Sequence, residues 1–525
     1  MGWTIEPSIA VKIGCMKERV RWRHPAITSR QIDQTRLVFD SGLDADAAFA
    51  FLVLGDSGTG RHRRQRPQRQ VAELMLRHGQ GASFILHTGD VVYQVGSSEQ
   101  YRNNFIVPYR EWLVDGDHPD RIAYDRMIFN TPFFPVLGNH DYYDLPPPLG
   151  LLSGLTAPLR QLLSPLLDLD VGWHGSRRGE AYACAFLDVL QHLPESELGN
   201  HLDQCYASEL DGERCLSYRP SRFTRLPNRY YSFRVAGLDV FALDSNTFNQ
   251  PLAGPRSDPA AGQAELGALR QRLILERTRL RLSLGGSWTA SLDPDDQGDR
   301  ADDLAGELEA IEEQLNDIEK QLDRDEAAQT VDHEQLGWLK DRLVASWRNP
   351  AVRGRVLVLH HPPYVTEATK WFQGQTLAVR HRLRQVLDQV AAELGPDDRD
   401  PRQPLLSLVL MGHAHCLEVL RTGATGHGDA HIPWVICGGS GYSLRRQRPE
   451  GADLGGSVGG QPATLARSEL FVGRSGQGAR LRRPYSALRV EVGAGRPLRL
   501  RLIPLVTERL NKQWQQTQLA PILLC

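Results

Sequence analysis

The sequence predicts an α/β fold built around a buried sheet, and two kinds of segment support this. Short runs of valine, isoleucine, leucine and phenylalanine are typical of strands buried on both faces, and several end abruptly at polar, glycine-containing loops. Amphipathic stretches at residues 68–78 and 377–394 are typical of helices. Because strand, loop and helix recur in this order, we expect functional side chains at the strand ends of the sheet.

Five of the apolar runs lead directly into loops that are rich in potential ligands. In chain order they are Phe49–Leu54 before GDSGTG, Ser83–Leu86 before HTGDVVY, Phe133–Leu137 before GNHDYY, Val356–Leu359 before HHPPY, and Leu408–Met411 before GHAH. The interval from Asn139 to His360 is 221 residues, far longer than one strand–helix unit needs. The sequence therefore predicts inserted structure between the third and fourth loops.

Two insertions are predicted in this interval. Residues 142–229 are irregular and leucine-rich, and we expect a cap that packs its leucines on the core, with a lid or a membrane-touching surface as the alternative. Residues 262–332 predict an antiparallel helical hairpin, because the first helix is basic, the second is acidic, and apolar residues repeat by four and three. The apolar seam of the second helix comprises Leu304, Leu308, Ile311, Leu315, Ile318 and Leu322.

The rest of the chain completes the predicted domain organisation. Residues 1–45 show no strong periodicity, so we expect an N-terminal segment over 1–45 and one domain over 46–525 that carries both insertions. Residues 488–492 and 498–503 alternate as antiparallel strands do.

Overall charge gives no support for a nucleic-acid or membrane-surface protein. The 525 residues include 61 Lys+Arg and 63 Asp+Glu, a formal net charge of −2. No apolar run is long enough to span a bilayer. The run RHRRQR at residues 61–66 steers anionic substrates, binds a polyanion or simply begins a solvated helix. It lacks the interleaved aromatic residues of a nucleic-acid platform, so a nucleic-acid partner is not favoured.

The N-terminus and the cysteines both bear on location. An early Glu6 and the lack of a basic head followed by an apolar block predict no signal peptide. Seven cysteines are too sparse, and odd in number, for a disulfide framework. We therefore expect reduced thiols and a cytoplasmic location.

The five loops together supply the donors of a metal site. Carboxylate, amide oxygen, phenolate and imidazole groups hold hard and borderline metal ions. More donors are present than one ion needs, which favours two ions that share a bridging carboxylate. The candidates are Asp56, Asp90, Tyr93, Asn139, His140, Asp141, His360, His361, His413 and His415.

These loops resemble the five sequence blocks of the calcineurin-like metallophosphoesterases, and most closely those of the purple acid phosphatase branch. Many relatives carry Asp-x-His in the first block, whereas this sequence has Gly58 in place of the histidine. Tyr93, three residues after Asp90, matches the tyrosine ligand of purple acid phosphatases. The alternative for Tyr93 is a buried aromatic residue whose hydroxyl finds a partner. The resemblance implies a four-layer α-β-β-α sandwich with the helical hairpin inserted.

The resemblance also implies a ligand set. Asp90 would bridge two metal ions, with Fe(III) at the Tyr93 site and Fe(II), Zn or Mn at the other. His360 is favoured over His361 because relatives place the ligand two residues before a proline. The implied ligands are Asp56, Asp90, Tyr93 and His415 for the first ion, and Asp90, Asn139, His360 and His413 for the second.

The implied activity is phosphoester hydrolysis by a metal-bound hydroxide, most similar to that of phosphomonoesterases of the acid phosphatase type. His140 would stabilise the transition state or act as general acid, with Asp141 orienting its ring. A small phosphoester is the expected substrate. Two alternatives remain, namely a phosphodiesterase acting on nucleotide or lipid substrates, and a non-catalytic interaction protein that binds a protein partner through the hairpin.

Overall fold

The structure is a computed structural model. It describes residues 4–59, 65–145, 175–252, 259–286, 294–322, 330–395, 397–400, 403–477 and 480–524. Most of the arginine-rich run at 61–66 and the leucine-rich stretch at 146–169 therefore lie outside the described residues.

The described part of the chain contains nine α-helices. Their bounds are α1 Ile9–Arg19, α2 Pro25–Thr28, α3 Pro67–His78, α4 Glu180–Phe186, α5 Glu195–Cys205, α6 Pro259–Gly286, α7 Pro294–Leu322, α8 His333–Arg348 and α9 Gly374–Glu393. Helix α3 begins with Pro67, whose missing N–H is not needed at the first helical position. The helices predicted at 68–78 and 377–394 are confirmed as α3 and α9.

The strands include all five apolar runs that precede the ligand-rich loops, which confirms those predictions. Their bounds are β1 Ile32–Phe39, β2 Phe49–Leu54, β3 Ala82–His87, β4 Phe133–Pro135, β5 Ser208–Leu210, β6 Glu213–Tyr218, β7 Tyr231–Val235, β8 Leu238–Ala242, β9 Gly354–Val358, β10 Leu408–Met411, β11 Leu417–Thr422, β12 Pro433–Cys437, β13 Asp453–Val458, β14 Gln461–Val472, β15 Tyr485–Val492, β16 Leu500–Leu510, β17 Gln513–Gln518 and β18 Ile522–Leu524.

The strands form two mixed sheets. The larger sheet has the strand order β13-β14-β11-β12-β10-β9-β8-β7-β1-β6-β5. The smaller sheet has the order β17-β16-β15-β2-β3-β4, and β18 also pairs with β16. Strands β15 and β16 are antiparallel, as the C-terminal alternation predicts.

The two sheets pack face to face between helices, which gives the expected four layers. Side chains alternate along β9, so that Val356 and Val358 face the core between the sheets, while Leu357 joins a second core with helices α8 and α9. Across the central core, Phe84 of β3 meets Phe233 of β7 edge to face, with ring centroids 5.6 Å apart. Helix α3 covers the outer face of the smaller sheet. These four layers are called the sandwich below.

Helices α6 and α7, called the hairpin below, lie side by side. Arg270 pairs with Glu319 at 3.1 Å and Arg281 with Glu312 at 2.7 Å, so residue numbers rise along one helix and fall along the other. The helices are therefore antiparallel. They share a small apolar cluster of Leu273, Ile311, Leu315 and Ile318 that is separate from both cores of the sandwich.

Two segments that the sequence analysis set apart from the sheets belong to the larger sheet. Strand β1, within residues 1–45, pairs in parallel with β6 and β7. Strands β5 and β6, within the 142–229 insertion, form one edge of the same sheet. The N-terminal segment thus contributes a strand to the larger sheet, and the described part of the first insertion extends that sheet.

Two further features of the described residues are the character of their helices and the state of their cysteines. None of the helices traced there has the length and apolar character that crossing a bilayer requires. The six cysteines among these residues are free thiols.

Candidate metal centre

The five ligand-rich loops converge at one edge of the sandwich. Strands β2, β3 and β4 run parallel in the smaller sheet, and β9 and β10 run parallel in the larger one. Carboxyl ends of parallel strands lie at the same edge, so the loops that follow them meet between the two sheets. All nine residues predicted as ligands or catalytic groups are brought together there and are buried, namely Asp56, Asp90, Tyr93, Asn139, His140, Asp141, His360, His413 and His415.

Three of these residues adopt a backbone conformation that side-chain-bearing residues rarely take. The φ angles are 52° for Asp56, 56° for Asp90 and 67° for His413, all in the left-handed region. Such strained conformations cluster at functional sites and persist where the surroundings hold them. Here the His413 N–H donates to both carboxylate oxygens of Asp56, at 3.1 and 3.0 Å.

The first group of donor atoms surrounds the Tyr93 hydroxyl. Tyr93 Oη lies 3.1 Å from Asp56 Oδ1, 2.8 Å from Asp90 Oδ2 and 3.4 Å from His415 Nε2. His415 Nε2 also lies 3.6 Å from Asp56 Oδ1. Four potential ligands thus point at one small volume.

The second group surrounds the Asn139 side-chain oxygen. Asn139 Oδ1 lies 3.0 Å from His360 Nε2 and 3.0 Å from His413 Nδ1. His360 Nε2 is 3.3 Å from Asp90 Oδ2, the same oxygen that contacts Tyr93. Asp90 therefore belongs to both groups. Ligand atoms of Asp90, His360 and His413 all lie within 4.8 Å of one another.

The hydrogen bonds behind the histidines show that the donor set fits metal ions. His360 Nδ1 lies 2.8 Å from the Thr88 carbonyl oxygen, and His415 Nδ1 lies 2.9 Å from that of Ser443. A carbonyl accepts only, so each Nδ1 carries a proton, and in the neutral form that binds metal each ring would direct an Nε2 lone pair at the carboxylates. Lone pairs that converge on carboxylate and amide oxygens suit bound cations.

His140 and Asp141 are held by different partners from those expected. His140 N donates to Asp90 Oδ1 at 2.9 Å, and His140 Nδ1 lies 2.6 Å from the Gln94 carbonyl oxygen. The Asp141 carboxylate instead accepts backbone N–H groups of Asp90, Val91 and Gly138 at 2.9–3.4 Å. Gln94, not Asp141, therefore orients the His140 ring, and Asp141 shapes the loop that carries Asp90.

His361 occupies a different environment from His360. Its ring nitrogens lie 2.8 Å from Ser245 Oγ and 3.1 Å from Asn249 Nδ2. Both nitrogens are engaged by these side chains, whereas His360 Nε2 faces Asp90 and Asn139.

The inserted helix α7 also reaches the metal centre, a contact that the sequence does not predict. Glu309 Oε1 lies 3.7 Å and Glu313 Oε1 3.9 Å from His140 Nε2. Glu313 also forms an ion pair with the buried Lys370, and Glu309 lies 3.5 Å from Arg445. No local pattern marked these residues, because their spacing is that of any helix face and Lys370 lies outside the recognisable loops.

Charges at the centre shift the proton affinity of its acids and bases. Burial by itself would raise the pKa of Asp90, but His360 and His140 hold it below its usual value. Burial lowers the pKa of His140, but Asp90, Glu313 and Glu309 raise it to about 10. This shift favours the protonated form of the His140 ring.

Comparison with known proteins gives one family match and two structural likenesses. The family model of the calcineurin-like phosphoesterases matches residues 49–220. No curated protein matches the chain. The solved structure described as "GAP50 the anchor in the inner membrane complex of Plasmodium" is similar with 11% identity and a TM-score of 0.34, over 90% of this chain and 89% of that one. The "Structure of PhoD" is similar with 10% identity and a TM-score of 0.39, over 92% of this chain and 70% of that one.

The matched residues contain the loops that carry Asp56, Asp90 and Asn139. Members of this family are metal-dependent, and the buried donor groups described above are the corresponding feature of this structure. Residues 49–220 are thus similar to the calcineurin-like phosphoesterases, and this match is to about a third of the chain.

Proposed function

We propose that the protein hydrolyses phosphomonoesters with a dinuclear metal centre, in the manner of acid phosphatases. The observation that carries this proposal is the pair of buried donor groups that meet at Asp90 Oδ2. One group alone would suit a single ion, whereas two groups joined by a shared carboxylate suit two.

Each ion has its own set of ligands in this proposal. Asp56, Tyr93 and His415 would hold one ion, Asn139, His360 and His413 would hold the other, and Asp90 would contribute to both sites. When bound, the ions would polarise the phosphoryl oxygens and make water a stronger nucleophile at neutral pH. The buried His361, whose ring nitrogens are occupied by Ser245 and Asn249, is left out of the set.

Tyr93 sets the expected identity of one ion. A phenolate is a hard anionic donor that favours Fe(III). The adjacent site takes Fe(II), Zn or Mn. Burial, together with two carboxylates next to the Tyr93 hydroxyl, raises the pKa of Tyr93 well above its usual value, so loss of its proton depends on a cation at this position.

His140 is the proposed acid. Gln94 fixes Nδ1 and leaves the protonated Nε2 facing the space beside the donors. From there it would hydrogen-bond a phosphoryl oxygen as charge develops, or deliver its proton to the leaving alkoxide. Asp141 contributes indirectly, because its carboxylate holds the backbone at Asp90.

The test combines metal quantification with hydrolysis of a chromogenic phosphomonoester and the matching diester. We expect about two metal ions per chain, faster turnover of the monoester, and loss of turnover after chelation that readdition of metal restores. Preference for the diester would establish the phosphodiesterase alternative. A metal-loaded protein that hydrolyses neither compound would refute the proposal and favour the interaction protein.

A further inference from the structure

We propose that Lys370 and His140 form an anion subsite for the phosphoryl group of the substrate, and that Glu313 of helix α7 occupies this subsite until substrate displaces it. The inference deepens the proposed function and rests on it for the identity of the natural anion. It assigns Lys370 a substrate-binding role and makes Glu313 of α7 a competitor for that side chain.

Lys370 is a buried cation beside the metal donors. Its side chain is 1% exposed, and its ammonium group lies 3.1 Å from His413 Nε2. Among the described residues, the carboxylate that pairs with it is Glu313, which the insertion supplies. A buried ammonium group requires an anionic partner. The sandwich therefore presents a cation at its metal centre whose partner comes from outside the sandwich.

His140 and Glu313 face each other without completing a hydrogen bond. Their Nε2 and Oε1 atoms lie 3.9 Å apart, which is too long for one. Both atoms are buried and have no hydrogen-bond partner among the described residues. The carboxylate thus approaches the proposed acid but does not satisfy it, as a replaceable occupant of an anion subsite would.

Glu313 belongs to a polar stripe by which α7 docks on the sandwich. The carbonyl of Gly306 accepts from Arg445, and a Cβ at this glycine would lie 2.1 Å from Ser443 Oγ. The stripe recurs every three or four residues, which places it on one side of a helix. Its members, called the docking face below, are Gly306, Glu309, Glu313, Asp317 and Lys320.

The far end of the docking face is also held by polar contacts. Asp317 accepts the backbone N–H groups of Gly374 and Gln375, at 2.8 and 2.9 Å, where α9 begins. Lys320 pairs with Glu6 at 2.6 Å. Each of these contacts joins hydrogen-bonding or charged groups, which water or another ion can replace.

The hairpin buries its apolar residues separately from this interface. Its leucines and isoleucines form their own cluster between α6 and α7. Withdrawal of the docking face would therefore expose polar and charged groups while the apolar seam stays intact, and the hydrophobic effect would oppose it little. A phosphoryl group that replaces Glu313 exchanges one anion for another at Lys370 and leaves no buried cation unpaired.

The test measures binding of inorganic phosphate to the metal-loaded full-length protein by calorimetry. Glu313→Gln keeps the side-chain shape and removes the competing charge, so we expect phosphate to bind about tenfold more tightly, the scale of a charge-assisted hydrogen bond. The double variant Lys370→Met with Glu313→Gln removes both partners together and should lose this gain. Metal content is measured for every variant.

Glu312→Gln is the matched control. Glu312 lies one residue away on the same helix and pairs with Arg281 of the hairpin, so its replacement changes the net charge equally. The proposal is overturned if Glu313→Gln binds phosphate no more tightly than Glu312→Gln. It is also overturned if Glu313→Gln abolishes ester turnover while phosphate affinity is unchanged, because Glu313 would then act in the reaction itself.

Ester turnover and phosphate affinity together distinguish a failure of the proposed function from a failure of the subsite. If no variant hydrolyses a phosphoester but Glu313→Gln still tightens phosphate binding through Lys370, the subsite stands and the phosphatase assignment fails. If the wild-type protein hydrolyses the ester and the Glu313→Gln variant gains no affinity, the subsite fails and the phosphatase assignment stands.

Discussion

The metal centre and the docking face of α7 present charged side chains to the same buried space, but they are built in opposite ways. At the metal centre, each candidate ligand lies in a loop that follows a strand, and the two cores hold these strands in place. On α7, the charges lie on a helix whose apolar residues pack within the hairpin. The comparison indicates that the first region is fixed by the fold, whereas the second is attached to it and is the easier of the two to move.

The largest expected effect comes from the residue shared by both donor groups. Asp90→Asn removes the charge that joins the two groups, so we expect loss of bound metal and a fall in turnover beyond the ~10⁴-fold upper range for a general acid. Metal analysis and ester hydrolysis measure this. Asp203→Asn, at the exposed pair with Arg30, should change neither. Normal metal content in Asp90→Asn would refute the bridging role.

The next effect separates the acid from the ligands. His140→Ala should lower kcat by ~10²–10⁴, the usual contribution of a general acid, while bound metal stays at the wild-type level. His381→Ala, an exposed histidine on α9, is the control. If His140→Ala keeps wild-type turnover, the acid role is wrong. If it loses metal, His140 contributes to the ligand set.

Tyr93 tests the composition of the first donor group. Tyr93→Phe removes one anionic ligand, and we expect metal affinity at that site to fall by at least ~10-fold, the scale reported even for groups behind the ligands. If the ion is Fe(III), a visible absorption band of the wild-type protein should disappear. The control is Tyr101→Phe, because Tyr101 is also buried but its hydroxyl has no hydrogen-bond partner among the described residues; this variant should keep both the metal affinity and the absorption band.

Glu418 is a buried carboxyl group that, in contrast to Glu313, forms no ion pair with the residues that the structure describes. Burial raises its pKa to about 7 despite hydrogen bonds from Thr366. Because the folded protein binds the Glu418 proton more tightly than the unfolded chain does, this proton stabilises the fold. The stabilisation is complete below pH 4.5, the usual pKa of the group, and is lost as pH rises through about 7. Relative to Glu418→Gln, the unfolding free energy of the wild-type protein should fall by about 3 kcal/mol across this window.

Chemical denaturation of both proteins at several pH values measures that fall. The outcome that contradicts the assignment is a constant difference between wild type and Glu418→Gln from below pH 4.5 to above pH 7.

The smallest expected effects are on the free energy of unfolding, and they come from variants on the two sides of α7. Asp317→Ala leaves two backbone N–H groups of α9 without their acceptor and should cost about 1–3 kcal/mol. Glu319→Ala removes the exposed pair with Arg270 and should cost ~0.2–1 kcal/mol. Thermal denaturation of both variants checks the order. An equal or reversed order would show that the docking face contributes no more than the exposed side of the hairpin.

The sequence allows the fold and the set of candidate ligands to be predicted because both depend on local signals. An apolar run followed within a few residues by Asp56 or His360 predicts both a buried strand and the functional loop after it. The structure adds that Gln94 orients His140, a role that no side-chain pattern marks, since it uses a backbone carbonyl.

The role of α7 is not predictable from its pattern, for a physical reason. Acidic residues along α7 have the spacing expected for pairing with the basic α6, and Glu312 and Glu319 do pair in that way. Glu309 and Glu313 belong to the same acidic helix but face His140. Which side of a helix meets the sandwich depends on how the hairpin is placed, and this placement is set by contacts distant in the chain.

The hydrogen bonds from His413 to Asp56 have a consequence for biosynthesis. The two residues are separated by 357 positions, so the first donor loop reaches its final form only after β10 has been made and has joined the sheet. An ion that arrives earlier meets an incomplete set of ligands. We therefore expect metal loading to follow completion of the sheet, so that metal content in freshly made protein reports the fraction of chains that have finished folding.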